Sequence, residues 1–229
     1  MKHFNIAIDG PAGAGKSTIA KEVSRRLGFI YVDTGAMYRT MALYVLRSGI
    51  DSKDAKKVEE ACAAVDVSLR YEDGAQQVLL NGENVTGLIR TEEVGNTASV
   101  ISVYAPVRAK LVQLQQALAA RENVIMDGRD IGTCVLPDAP LKIYLTASVQ
   151  VRAMRRFKEL TEKQVTCDLA QIERDIEERD ERDMNREQSP LRQAEDAVFV
   201  DGSQMTVEEV IGTILSLAAQ RGCEVTDEA

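Results

Sequence analysis

The chain has no tryptophan, a single histidine, four cysteines and only 4% aromatic residues among its 229 positions. Each shortage removes a class of chemistry. His3 precedes the first apolar run, so no histidine stands where a general base would be needed, and any mechanism must rest on carboxylates, arginines and metal. Cys62, Cys134, Cys167 and Cys223 lie far apart and form no C-x-x-C pair. That spacing argues against a zinc site and makes them packing residues with reduced thiols. No window approaches the roughly 18 uninterrupted apolar residues of a membrane span, and the start lacks a charged segment leading into an apolar one. Neither a membrane span nor a secretory signal is expected, and the protein is read as cytoplasmic. The net charge of −8 argues against nucleic-acid binding, which draws on an excess of Lys and Arg on one face.

Basic residues nonetheless cluster. Arg152, Arg155, Arg156 and Lys158 form one group, and Arg174, Arg179, Arg182 and Arg186 another. A chain that is acidic outside can still hold anions in a cleft lined this way.

What is present is a complete phosphate-loop motif, Gly10-Pro11-Ala12-Gly13-Ala14-Gly15-Lys16-Ser17, with Thr18 next. Its context is the one the motif requires. Phe4 to Asp9 reads as a short buried parallel strand; downstream, Ile19, Val23 and Leu27 recur every four residues and Gly28 can close the helix. Glycines let successive backbone N–H groups turn inward onto phosphate oxygens, and the helix adds its positive N-terminal end. Lys16 is placed to reach the β- and γ-phosphates as a mobile charge, and the Ser17 hydroxyl to ligate Mg²⁺.

The rest of the chain alternates between the two periodicities. Strands are expected over residues 4–9, 29–33, 123–127, 141–145 and 198–201, and helices over 16–27, 35–47, 104–121, 148–163, 168–185 and 206–220. This predicts an α/β fold, a parallel five-stranded sheet flanked by helices. One region breaks the pattern. Val65 to Tyr71 alternates, Asp73-Gly74 and Asn81-Gly82 are turn dipeptides, and Val78-Leu79-Leu80 and Val85 complete a small antiparallel meander. Residues 62–90 are therefore expected as an inserted β lobe, with 1–61 and 91–229 forming the nucleotide core. The tail from Glu224 to Ala229 is expected to fray.

Does the γ-phosphate go to water or to another molecule? Val124-Ile125-Met126-Asp127 is followed by Gly128-Arg129-Asp130, an arginine where a hydrolytic motor would carry a second carboxylate, and no Asn is followed by Lys as in a guanine reader. Transfer is favoured over hydrolysis. Asp127 ends its strand at the carboxyl edge of the sheet, where it either holds Mg²⁺ or caps a helix. Arg129 either forks onto a phosphate, each charge-assisted contact contributing about 1.5–3 kcal/mol, or makes a surface ion pair. Arg39, about one helical turn beyond Gly35, either turns to a second phosphate or stays solvated, with Tyr38 in the core. Along the expected helix 168–185, the stripe Leu169, Ile172, Ile176 continues as Arg179, Asp183, Arg186. A face that turns charged needs partners, so these three line a wet anionic pocket or neutralise one another.

These residues together resemble the bacterial cytidylate kinases, which move a phosphoryl group from ATP to CMP or dCMP. The likeness spans nearly the whole length. It rests on Ile8-Asp9-Gly10-Pro11 entering the phosphate loop, Asp33-Thr34-Gly35-Ala36-Met37-Tyr38-Arg39, Ile89-Arg90-Thr91-Glu92-Glu93-Val94, Asp127 through Thr133, Pro137-Asp138-Ala139-Pro140, and Glu178-Arg179-Asp180 through Asn185-Arg186. The resemblance implies a P-loop kinase core, a monophosphate-binding insert and a helical lid over about 148–167. It implies that Arg39, Arg129 and Arg186 clamp the acceptor phosphate, that Arg179 and Asp183 meet the ribose, and that Ser99, Arg108 and Asp130 read the base with Thr34 and Tyr38 nearby. It makes Arg152, Arg155 and Arg156 lid residues closing over the phosphates; Mg²⁺ is expected with ATP from the phosphate loop, and a monomer because nothing in the chain demands a dimer. The base reader makes chemical sense unaided. Cytosine offers an N4 amino donor and N3 and O2 acceptors, so a mismatched uracil should lose about 1–3 kcal/mol per contact. Two rivals differ in kind. A small-metabolite kinase of the shikimate or gluconate type would share the core without the strand-rich insert, and a non-catalytic ATP sensor would signal through the 62–90 lobe.

Overall fold

The computed structural model describes residues 3–72 and 74–223. The expected turn residue Asp73 and the tail from Glu224 lie outside the described residues. Two compact units are present. One comprises the described residues up to Phe29 and from Asn123 onward; the other is the contiguous stretch Ile30–Glu122.

The first unit holds β1 (Ile6–Asp9), α1 (Lys16–Leu27), β6 (Val124–Gly128), a one-turn π-helix (Ile131–Val135), β7 (Leu141–Thr146), α6 (Val149–Glu162), α7 (Leu169–Asn185), β8 (Val198–Asp201) and α8 (Val207–Gln220). The second holds β2 (Ile30–Asp33), α2 (Thr34–Arg47), α3 (Ala55–Ala64), β3 (Val67–Glu72), β4 (Ala75–Leu80), β5 (Glu83–Asn84), α4 (Glu92–Ile101) and α5 (Ala105–Ala119). The parallel sheet has the order β2-β6-β1-β7-β8, five strands as the alternation predicts.

β1 is the centre of its unit. It pairs in parallel with β6, Ile6 opposite Ile125, and with β7, Ile6 opposite Leu141; β7 in turn pairs with β8, Ile143 opposite Val198. Ile6, Ala7, Ile8, Val124, Ile125, Met126 and Leu141 have no exposed surface, which is why these strands read as continuous apolar runs rather than alternating ones. Helix ends follow local chemistry. Ser148 and Asp168 accept from Val151 and Ala170 at the starts of α6 and α7, and Thr206 with Glu209 forms a capping box on α8. Gly28 closes α1 in the left-handed region, φ 66°.

In the second unit α2, α3, α4 and α5 share one apolar core with the meander, from Met37, Met41 and Val45 through Val58, Val67, Val78 and Leu80 to Ile101 and Leu111. The strands and those helices bury the same cluster, so the meander is continuous with its neighbours, and residues 62–64 form the last turn of α3. Asn81 and Gly82 both have positive φ, 49° and 85°, in the tight loop that sets Leu80 opposite Glu83. The third strand of the meander, β5, stops short of the expected Val85, whose side chain is buried in the core. Helices α3 and α4 and the π-helix were not expected. Asp54 and Thr91 cap the two α-helices.

Candidate active site

The phosphate loop leaves β1 through Gly10, whose φ is 149° and where an added Cβ would lie 1.9 Å from the carbonyl oxygen of Leu145. No side chain fits there. Gly13 and Gly15 also take positive φ, 76° and 90°, and Gly15 stands directly before α1, leaving its first N–H groups without a side-chain cap. Open N–H groups at a helix start are what an anion takes.

Lys16 is buried, and its Nζ donates to the carbonyl of Pro11 at 2.8 Å. Burial and then the neighbouring Arg129 lower its pKa to about 7, against the pull of Asp127 and Asp9. Burial outweighs those carboxylates, so a further anion such as a phosphate would favour the charged amine. Ser17 Oγ donates to Asp127 Oδ2 at 2.7 Å. Asp127 is buried inside β6, which removes the alternative that it caps a helix. A hydroxyl and a carboxylate are the hard oxygen donors that Mg²⁺ takes. Among the described residues no three or more His, Cys, Asp or Glu side chains group to cage a metal, so a cation here would draw its remaining ligands from phosphate and water.

Beyond β6, Arg129 Nε donates to Asp183 Oδ2 at 2.8 Å and Nη1 to the carbonyl of Gly128 at 3.2 Å. The Arg129 pair is mostly buried, 20% and 10% exposed, not the surface ion pair that was the alternative. Burial works to raise the pKa of Asp183, but Arg129 with Arg179 and Arg186 outweighs it and holds the carboxyl below its usual value. Arg186 approaches Asp130, Nη2 to Oδ1 3.6 Å, and donates from Nε to the carbonyl of Ser189 at 2.7 Å. The charged stripe of α7 is thus an ordered array of alternating signs, with Arg179 half-buried beside it.

Two carboxylates that sequence reasoning passed over organise this unit. Asp9, buried, accepts the N–H of Ile131 at 2.8 Å and of Gly132 at 2.7 Å, pinning the start of the π-helix just after Asp130. Burial, against those two bonds, pushes its pKa up to about 6. Asp180 accepts from Arg152 Nη2 at 2.6 Å. Arg152, 4% exposed, also donates to the carbonyls of Ala147 (2.8 Å) and Ala12 (3.0 Å). Its guanidinium is therefore a strut beneath the phosphate loop, where a mobile lid residue was expected. Arg155 donates to the carbonyl of Gly202 at 3.0 Å, and Arg156 is exposed and paired with Glu159 on its own helix.

In the other unit α2 carries Thr34, buried, and Tyr38 and Arg39, both half-buried. The Arg39 guanidinium lies along Gly35 and Gly95, within 4 Å of where either would place a Cβ. The Arg108 guanidinium sits 5.7 Å from the centre of the Tyr38 ring and donates to the carbonyl of Ser102 at 3.3 Å; Ser99 is half-buried on α4. The unit thus gathers Tyr38 with Arg108, and Arg39 with the glycine face of α4.

Among the described residues no helix is long and apolar enough to cross a membrane. Cys62 and Cys223 are buried and Cys134 and Cys167 half-buried, and among the described residues no disulfide joins them.

The family model described as cytidylate kinase matches residues 6–220. The chain is 52% identical over 217 residues to a cytidylate kinase of Caldicellulosiruptor saccharolyticus, covering 95% of this chain and 96% of that one. It is 48% identical over 221 residues to one of Listeria welshimeri, covering 96% and 98%. Among solved structures, a gluconokinase from Sinorhizobium meliloti shares the fold at a TM-score of 0.50 and 14% identity, covering 96% of this chain and 93% of that one.

Proposed function

The chain belongs to the cytidylate kinase family and phosphorylates CMP from ATP; from that premise we propose how its residues divide the work. The phosphate loop from Gly10 to Thr18 holds the ATP, and Lys16 turns from the Pro11 carbonyl onto the β- and γ-phosphates. Ser17 and Asp127 would hold Mg²⁺, which with ATP would neutralise the charge of its phosphates. Arg39, Arg129 and Arg186 clamp the acceptor phosphate, Arg179 and Asp183 meet the ribose, and Ser99, Arg108 and Asp130 read cytosine with Thr34 and Tyr38 beside them. The 62–90 strands border the acceptor.

The chemistry asks little beyond placement and charge. The acceptor oxygen belongs to an ionised phosphate, so in-line attack needs no general base, which agrees with a chain whose only histidine is His3. Lys16 and the arginines stabilise the charge that spreads over the transferred group. Arg156, exposed on α6, is the lid residue that reaches the phosphates, and Arg152 acts by bracing the loop. Excluding water on closure suppresses hydrolysis. dCMP is taken as well as CMP, and the protein acts in the cytoplasm as a monomer.

The observation that carries this division is the array in one unit of a buried Lys16, the Ser17–Asp127 pair and the Arg129–Asp183 pair. A panel of nucleoside monophosphates with MgATP, read as ADP release, tests it. CMP and dCMP should turn over fastest, UMP clearly more slowly. Equal rates with all pyrimidines would dismiss the base-reading set, and a mass-determined dimer would dismiss the monomer.

A further inference from the structure

Strand β2 stands at the end of the sheet order, so among the described residues one edge of its backbone has no strand to pair with. In an extended strand the N–H and C=O of alternate residues point to the same side. Three of those groups on Tyr31 and Asp33 are nevertheless satisfied, all by side chains of the meander. The N–H of Asp33 donates to Gln76 Oε1 at 2.8 Å, Gln76 Nε2 donates to the carbonyl of Asp33 at 3.3 Å, and the Tyr71 hydroxyl donates to the carbonyl of Tyr31 at 3.3 Å. Tyr71 and Gln76 are direct cross-strand partners in β3 and β4. One opposed pair of side chains thus does for β2 what a neighbouring strand would do, and the amide of Gln76 grips both backbone groups of a single residue.

That residue is the N-cap of α2. The Asp33 carboxylate caps the helix by accepting from the N–H of Ala36 at 2.9 Å, and it pairs with Arg90 at 2.5 Å. Backbone and side chain of Asp33 are both fixed, and α2 starts on the next residue with Thr34, followed by Tyr38 and Arg39. Burial of Tyr71 pushes its phenol pKa up, so it remains a donor.

We propose that Tyr71 and Gln76 are positioning residues for the acceptor nucleotide, gripping the end of β2 so that α2 presents Thr34, Tyr38 and Arg39 in one fixed orientation. This rests on the reading that those three side chains meet CMP. It gives the meander a specific task, setting acceptor affinity, without a side chain of its own on the substrate. ATP is held by the other unit's loop and should be indifferent to the grip.

The test is steady-state kinetics of Gln76→Ala, Gln76→Met and Tyr71→Phe on the full chain, with Arg39→Ala alongside. Each lost hydrogen bond is worth about fivefold in an equilibrium. Gln76→Ala and Gln76→Met should raise the KM for CMP at least about fivefold, and Tyr71→Phe about fivefold, while the KM for ATP stays within about twofold. Gln76→Met keeps the length and packing of the side chain but not its amide. A wild-type KM for CMP in that variant would overturn the proposal, as would equal rises for both substrates. If Gln76→Ala does not fold, Tyr71→Phe, which deletes one oxygen, decides by the same split. If Arg39→Ala leaves the KM for CMP unchanged, the assignment of α2 to the acceptor fails. If it raises that KM and the Gln76 variants do not, the grip alone fails.

Discussion

Replacing Arg152 by methionine separates two roles for one residue. A lid arginine acts on the phosphates and can be lost without cost to the fold; a strut cannot. Arg152 is 4% exposed and makes three hydrogen bonds, one to Asp180, whose side chain is 11% exposed, and two to backbone carbonyls. Taking away one partner of a buried pair leaves the other charge without compensation, a loss of about 3–5 kcal/mol. For a chain of this size about 2–4 °C of Tm goes with each kcal/mol, so Arg152→Met should melt roughly 6–20 °C lower. Replacing both partners by apolar residues removes the stranded charge, and Arg152→Met/Asp180→Leu should recover much of the loss, since such exchanges are often close to neutral. Urea denaturation of the wild type, both single variants and the double variant closes the cycle, and the coupling between the two sites should be large and favourable. The carbonyl of Ala12 also loses its donor, so the surviving fraction of Arg152→Met should bind ATP more weakly. An unchanged urea midpoint together with lost turnover would refute the strut and return Arg152 to the phosphates.

Lys16→Met should abolish most turnover with the fold intact, and near wild-type rates in a coupled assay would sink its role. The same variant tests the buried charge. With a folded pKa near 7 against about 10.4 unfolded, the unfolded chain holds the extra proton in that window, so wild-type stability rises with pH across it. Lys16→Met should be the more stable protein at neutral pH, by a margin that narrows toward pH 10; a margin constant with pH excludes the shift. Asp130→Ala should erode the preference for CMP over UMP by about 1–3 kcal/mol, and unchanged acceptor ratios would show that the base is read elsewhere. Asp9→Asn sets an amide against the two N–H donors of Ile131 and Gly132 and should lower stability by about 1–3 kcal/mol; an unaltered urea midpoint would deny it the pinning role.

Strands β1 and β6 were legible because burial on both faces writes itself as uninterrupted apolar runs, and the first helix because a motif and a periodicity agreed. Helix α3 was silent for the opposite reason. Its buried face is Val58, Ala61 and Cys62 alone, too few positions for a helical period to stand out. In α4, Gly95, Asn96 and Thr97 are poor helix formers, and it forms because Thr91 caps it and Val94, Ala98 and Ile101 reach the core. The π-helix has no local signature at all, since what fixes it is Asp9, 122 positions away from Ile131. The same distance hides the site's supports. Glycines, Lys16 and Ser17 announce themselves by spacing, whereas Asp180 shows its purpose only once Arg152, 28 positions earlier, lies against it. Arg152 itself was read as part of a basic cluster, and composition cannot tell an arginine that faces a ligand from one that faces a carbonyl.

The phosphate-binding strand is assembled from ends that are far apart in time as well as in sequence. β1 emerges from the ribosome before either neighbour, and Ile6 finds its partners only at Ile125 and Leu141. At about 5–20 residues per second, roughly ten seconds of synthesis pass before either neighbour exists. Over that interval the intervening residues Ile30–Glu122, a contiguous unit with a core of its own, can collapse on the nascent chain. The apolar run Ile6-Ala7-Ile8 must wait unsheltered, open to a chaperone until β6 and β7 arrive.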